Sequence, residues 1–361
     1  MTKYSNLIAE TIMKRYPNPD NYPYRSWCYP QGFMLWGFVR LFEATGKQEY
    51  LNYVLSYCQE HVTSEGEIPA FSGSSLDDIM AGSILVWAYN YTKEEKYRLA
   101  CQRIRRAFDD YPRNGDGAFW HGRNLPGEMW IDGLYMGLMF LTRYGAFVDD
   151  REYCFQETVR QLVAGFKCCE KDGSGLLYHA YSENRHISWA HPITGKSPEV
   201  WCEGLGWYAM ILPEVLELLS KDTMGYEQLK MQLQKLINAL EKLQDVSSGL
   251  WLQVVDKPRH PYNWHDTSGS AMFLYAIEKA RLLNLADEAQ CKRIVTKAYP
   301  GILTKCLVDV DGNVDIHDAC DGLCVQDNYD AYVGYVKNVN SKEAVAACFL
   351  ATQIVEYGVT V

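Results

Sequence analysis

The chain has 361 residues, 48% of them apolar and 13% aromatic, with a formal net charge of −10. That is ample to bury a large core, and one barrel-sized domain spanning residues 1–361 is expected. An acidic balance without a basic cluster speaks against a nucleic-acid footprint. No apolar run reaches membrane-spanning length, and the amphipathic start MTKYSNLIAETIMKRYP has no signal-peptide core.

In chain order, helical periodicity dominates. Residues 4–16 read as a helix that can pair with the last one, 342–357. Between them a two-helix unit recurs: 31–45 (stopped at Gly46) with 48–61, and 81–91 with 94–108. Then come 133–144 (stopped at Gly145) with 150–169, 204–219 with 226–243, and 268–283 with 286–298. The pattern predicts six helical hairpins, an all-α chain with little β structure. Strand signals are confined to 176–181 and 250–256, which read as short strands or extended loops. Twelve cysteines lie scattered, several inside apolar helical runs (Cys58, Cys101, Cys348). They read as small buried hydrophobes in a reducing compartment, so a cytoplasmic location is expected. Cys168-Cys169 and Cys320-x3-Cys324 lack a second Cys or His pair at zinc spacing, and no metal site is expected.

A finer repeat runs through the first helix of five units. Five residues before a glycine stands an aromatic or an acid: Trp27 before Gly32, Asp77 before Gly82, Asp132 before Gly137, Trp201 before Gly206, and Trp264 before Gly269. The pairs recur every 50 to 69 residues, the mark of a repeat architecture. If the hairpins close into a ring, two acids and three tryptophans share one mouth with the helix N-termini. The plainer alternative is that the glycines only allow close helix packing and the aromatics only cap the barrel. The loops leading into these helices are long and rich in polar and aromatic residues, as functional loops are. Residues 110–129 carry His121; 173–200 carry His179, His186, Trp189 and His191; 250–267 carry His260 and His265. Of His179, His186 and His191, one is expected to be functional. Carboxylates beside aromatic platforms suit a sugar ring, whose apolar face stacks while its hydroxyls hydrogen-bond.

The stretch FWHGRNLPGEMWIDGLYMGLMFLTRYG (119–145) concentrates this chemistry. Asp132 stands at the start of an apolar helix, beside Trp130 and Tyr135. Two readings are open. A buried acid is pushed toward its neutral form, which suits a proton donor near neutral pH; or Asp132 is an N-cap that accepts a backbone N–H.

The motifs resemble the unsaturated rhamnogalacturonyl hydrolases of glycoside hydrolase family 105, which are related to the unsaturated glucuronyl hydrolases of family 88. MWIDGLYM (129–136), preceded by FWH (119–121), is similar to the family's W-[LI]-D-G-L-Y-M signature. LDDIMAG (76–82), LLYHAYSENR (176–185), SPEVWCEGLGWY (197–208), WLQVVDKPRHPYNWHDTSGSAM (251–272) and WCYPQG (27–32) follow in the family order. The resemblance covers nearly the whole chain. It implies an (α/α)6 barrel and removal of a 4,5-unsaturated uronic acid from the non-reducing end of lyase-made oligosaccharides, as in pectin and rhamnogalacturonan degradation. Asp132 would be the acid/base and Asp77 its supporting carboxylate. His121, Trp130, Met136, His179, Trp201 and Trp207 would line the sugar pocket, with Trp27 and Gln31 from the first motif.

The implied reaction hydrates a vinyl ether and needs no metal or organic cofactor. Its ligand is a small oligosaccharide. Two other classes stay open: an (α/α)6 glycosidase acting on a saturated sugar, and a non-catalytic sugar-binding relative. Two positions depart from the family pattern. Glu203 replaces an Arg suited to the substrate carboxylate, and Glu128 replaces a Gln. With Asp77 and Asp132, Glu203 would make three acids in one mouth, of which at least one should have a raised pKa. On Glu203 alone, weak activity on the ordinary unsaturated rhamnogalacturonan disaccharide is expected, with Glu203→Arg lowering KM. Two explanations are open: the true substrate lacks a carboxylate in that position, or Arg123, Arg185 or Lys196 supplies the charge.

Overall fold

The computed structural model describes residues 3–358. Its helices and short strands run α1 (Tyr4–Arg15), α2 (Tyr29–Thr45), α3 (Gln48–His61), α4 (Gly82–Thr92), α5 (Glu95–Arg106), β1 (Glu128–Trp130) and α6 (Ile131–Phe147). They continue with α7 (Arg151–Cys169), β2 (Ala180–Ser182), α8 (Cys202–Leu216), α9 (Tyr226–Leu243), α10 (Thr267–Leu282) and α11 (Glu288–Leu303). The last are β3 (Cys306–Val308), β4 (Val314–Ile316), α12 (Tyr329–Val333) and α13 (Lys342–Tyr357). Helices α2, α4, α6, α8, α10 and α13 pack in that order, and α13 returns to α2, so they close a ring. Each has an outer partner, in order α3, α5, α7, α9, α11 and α1. This is the (α/α)6 barrel.

The sequence sorts the two layers. An inner helix is covered on both sides, so it must be apolar nearly all round. In α8 every residue is buried, and in α6 every residue from Gly133 to Gly145 is. An outer helix buries one stripe, as α9 does with Leu229, Leu233, Leu236, Ile237 and Leu240 at helical spacing. Each such leucine, fully buried, stabilises the fold by about 1.5–3 kcal/mol. Inner helices also approach closely where glycine allows it. A Cβ on Gly269 would stand 2.5 Å from Cys202 Sγ and 2.6 Å from the Cys202 carbonyl carbon. For the repeated glycines, the packing explanation therefore holds.

Locally, one boundary moves, one open reading is decided and one strand pair is added. Helix α6 does not stop at Gly145 but runs to Phe147, because this glycine makes room for α7: a Cβ there would stand 2.6 Å from Cys154 Cβ. Of the two readings of 250–256 the extended loop holds: it makes isolated bridges, Trp201 with Val254 and Leu252 with His265. The pair β3–β4 was unforeseen, although Asp311-Gly312, with Gly312 at φ +79°, is a turn signal. The expected β character near 181 is present: β2 pairs antiparallel with β1, tying the loop before α8 to the start of α6.

The C-terminal end of the ring is closed by buried charge. Glu214 takes Lys279 Nζ at 2.6 Å and the Tyr275 hydroxyl at 2.5 Å, and also pairs with Arg143. Lys279 reaches Glu217 at 2.7 Å, and Arg40 stands 3.4 Å from the same carboxylate. Every charge in this set has an opposite partner.

Candidate active site

The N-terminal end of the ring opens into a cavity of about 220 Å3. Its wall includes Asp77, His121, Trp130, Asp132, Met136, Trp201, Glu203 and Trp207. The reason for this convergence is geometric. Asp132 and Glu203 are each the second residue of an inner helix, Tyr29 and Lys342 each the first, and Asp77 lies in the turn before α4.

Asp132 does not cap its helix. The N-cap of α6 is Trp130, which makes no side-chain capping bond, and Asp132 Oδ1 is buried without a hydrogen-bond partner. Burial, with Asp77 adding to it, pushes the Asp132 carboxyl up to about 6, against the pull of His121. The imidazole of His121 stacks on the indole of Trp130, centroids 4.3 Å apart at 16°. Its Nε2 lies 3.6 Å from Asp77 Oδ1. Burial would lower its pKa, but Asp77 first and Asp132 next raise it to about 9. At neutral pH the site thus holds an imidazolium at His121 beside Asp77, and in Asp132 an acid close to its midpoint. Glu128 explains itself locally: its Oε2 accepts from Trp130 Nε1 at 3.0 Å and orients the indole.

Glu203 is fully buried and accepts from Ser268 Oγ at 2.6 Å. Burial raises its pKa well above the carboxylate range, with Glu343 and Asp266 adding to the shift. His179 stands one layer behind the wall. Its ring packs 4.4 Å from Trp201, its Nδ1 meets the Tyr332 hydroxyl at 2.9 Å, and burial holds its pKa well below 6.5, so it is neutral. Four orphan polar atoms gather here: Asp132 Oδ1, His121 Nδ1, His179 Nε2 and Trp201 Nε1. Buried polar atoms are rarely left unpaired, and such exceptions ask for an explanation.

A sequence profile of Glycosyl Hydrolase Family 88 matches residues 4–357. The chain belongs to glycosyl hydrolase family 88. This family 88 chain is 25% identical, over 95% of its length and 93% of the other's, to the unsaturated rhamnogalacturonyl hydrolase YesR of Bacillus subtilis. It is 36% identical over 157 residues to Protein Atu3128 of Agrobacterium fabrum, a match spanning 44% of this chain and 66% of that protein. A family 105 glycoside hydrolase of C. acetobutylicum superposes with a TM-score of 0.90 at 29% identity, covering 98% of this chain and 99% of the other. These likenesses agree with the motif resemblance to family 105.

Some site readings move. Trp27 is buried away from the cavity, donating to the Asp78 carbonyl at 2.8 Å and stacking on Tyr57. Gln31 is buried below the wall, donating to the Tyr22 carbonyl. Trp264 donates to the Val333 carbonyl and packs against the 320–333 segment. Of the five repeated pairs, two acids and one tryptophan reach the mouth, because the loops before α2 and α10 turn their indoles into their own packing. The expected cations also lie elsewhere. Arg123 pairs with Asp110 at 2.7 Å, Lys196 donates to the Glu170 carbonyl, and Arg185 is exposed. The wall residues that sequence reasoning missed are Tyr24, Tyr29, Lys342 and the run from Asp321 to Cys324. The run from Asp321 to Cys324 had one signal, since the 304–341 connection is another long loop leading into an inner helix; Tyr24, Tyr29 and Lys342 had none.

Proposed function

We propose that the cavity removes a 4,5-unsaturated uronic acid from the non-reducing end of an oligosaccharide by hydrating its enol ether. The observation that carries this is Asp132: a carboxyl at the cavity whose Oδ1 is buried without a hydrogen-bond partner, with a pKa near 6 set chiefly by burial. The neutral acid donates its proton to C4 of the C4=C5 double bond. The cation that develops is shared between C5 and the ring oxygen, and Asp77 supplies negative charge for it. Water adds at C5 and gives a proton to the Asp132 carboxylate, which restores the acid. The C5 hemiketal opens to a ketone, the ring oxygen becomes the C1 hydroxyl, and the C1 hemiacetal collapses to an aldehyde with release of the aglycone alcohol. Every step uses side chains of this protein and water alone.

The match with YesR over nearly the full chain supports a substrate made by a lyase from rhamnogalacturonan. Its twelve cysteines, unpaired and buried except Cys324, support action in the cytoplasm; no helix among the described residues is long and apolar enough to cross a membrane. The test is turnover of a panel of lyase-made disaccharides, followed by loss of the enol-ether absorbance. Turnover that Asp132→Asn abolishes supports the reading. Turnover of saturated sugars only, or of none, overturns it.

A further inference from the structure

Four acids line the cavity, Asp77, Asp132, Glu203 and Asp321, yet its ligand under the reading above carries a carboxylate of its own. His121 faces Asp77 and Asp132, and burial favours the neutral form of Glu203, but a uronate carboxylate beside Asp321 and Asp77 still needs a cationic partner of its own. Lys342 is the one lysine or arginine on the wall among the described residues. It opens α13, so the closing of the ring, not any local motif, brings it beside Glu203.

Lys342 is held for display. Its Nζ pairs with Asp321 Oδ1 at 3.0 Å and Glu343 Oε1 at 3.1 Å, and a third contact, to the Asp321 carbonyl, is long at 3.4 Å. Glu343 is buried and fixed by the Tyr29 hydroxyl at 2.5 Å. Asp321 is its looser partner, with a side chain 37% exposed on the segment before α12. Tyr24, on the same wall, has its ring centroid 5.5 Å from Nζ. Its backbone sits at φ +95°, an uncommon conformation for a bulky residue that tends to persist at ligand clamps.

We infer that Lys342 is the specificity-determining cation for the substrate's carboxylate, and that Asp321 holds the ammonium in the substrate's absence. The family's arginine would supply the charge from position 203; here it comes from the neighbouring inner helix. A lysine ammonium is a compact point charge with three donors, so it can exchange one carboxylate for another without a bidentate fit. Asp321 and the uronate then compete, which gives two substitutions opposite signs.

The inference rests on the proposed function, and the experiment separates the two. An unsaturated uronyl disaccharide is compared with its methyl ester, one methyl group larger and without the charge. Wild type is expected to favour the acid at least tenfold in kcat/KM. Lys342→Met should raise KM for the acid ten- to a hundredfold, with kcat changed far less and the ester unaffected, while Lys342→Arg keeps most of the preference. Asp321→Asn should lower KM for the acid a few-fold. If Lys342→Met does not fold, the wild-type preference and Asp321→Asn still decide. Turnover of acid and ester with equal kcat/KM, or equal losses on both in Lys342→Met, would overturn the role of Lys342 while leaving the hydrolase reading intact. No turnover of any unsaturated substrate would overturn both.

Discussion

Asp132 and Glu214 are carboxyls inside the same ring of helices, one at the start of α6 and the other near the end of α8. Burial raises the pKa of both. At Glu214 that push is overcome by Lys279 first, then Arg143 and Arg40, and the group stays well below the usual carboxylate range. At Asp132 His121 and two backbone amides, its own and that of Gly133, oppose it only in part, with Asp77 on the other side, and the pKa stays near 6. What differs is whether the fold supplies partners. The closed end satisfies each charge and contributes structure; the open end leaves acid and orphan donors facing a cavity and is suited to chemistry.

The largest test of this contrast is Asp132→Asn. A positioned acid/base is worth on the order of 10²–10⁴ in rate, so kcat should fall by about that factor. Stability should not fall with it. A carboxyl whose folded pKa is raised is least costly below its unfolded value and becomes a burden as pH rises through about 6. The variant's Tm at pH 8 should therefore equal or exceed that of wild type. A loss of Tm with kcat preserved would make Asp132 structural.

At the other end the expected signs reverse. Glu214→Gln strands Arg143 and leaves Lys279 with Glu217 alone, and should cost about 3–5 kcal/mol in chemical denaturation. Protein that remains folded should keep its kcat. An unchanged denaturation midpoint would show that the network contributes little.

Smaller effects come from the groups that tune Asp132. The alkaline limb of kcat/KM for wild type should fall above about pH 6, where the acid form is lost. His121 lowers the Asp132 pKa, so His121→Gln should move that limb upward in pH; a shift downward would reverse the electrostatic assignment. Gly133→Ala should lose only several-fold in kcat/KM: its Cβ would meet His121 Nδ1 at 2.8 Å and press the imidazole off its stack on Trp130. An alanine variant with wild-type kinetics would show that the stack tolerates displacement.

The same contrast separates what the sequence makes legible from what it hides. All helices but α12 were readable, with ends displaced by up to five residues, because apolar inner runs and striped outer ones are local patterns. Asp132, Asp77 and Trp201 were readable because their positions repeat in register. Trp27 and Trp264 share that register yet turn into their own loops, since periodicity sets where a backbone starts and not which way a preceding side chain folds back. Lys342 and Tyr24 were hidden for another reason. They meet Asp132 only once the last inner helix closes against α2 and α8 sits beside α10, which no local signal encodes. The buried network around Glu214 was hidden likewise, its members spread over α2, α6, α8 and α10.

The most direct measurement is a pH-titrated infrared difference spectrum, wild type minus Asp132→Asn, in the protonated-carboxyl region. A neutral Asp132 gives a carbonyl band that is present at pH 5 and fades with a midpoint near 6; the matching Glu214→Gln difference should show no such band at any pH above 4. A wild-type spectrum in which Asp132 is already ionised at pH 5 would contradict the account, because a carboxylate with no proton to give cannot start the reaction at C4.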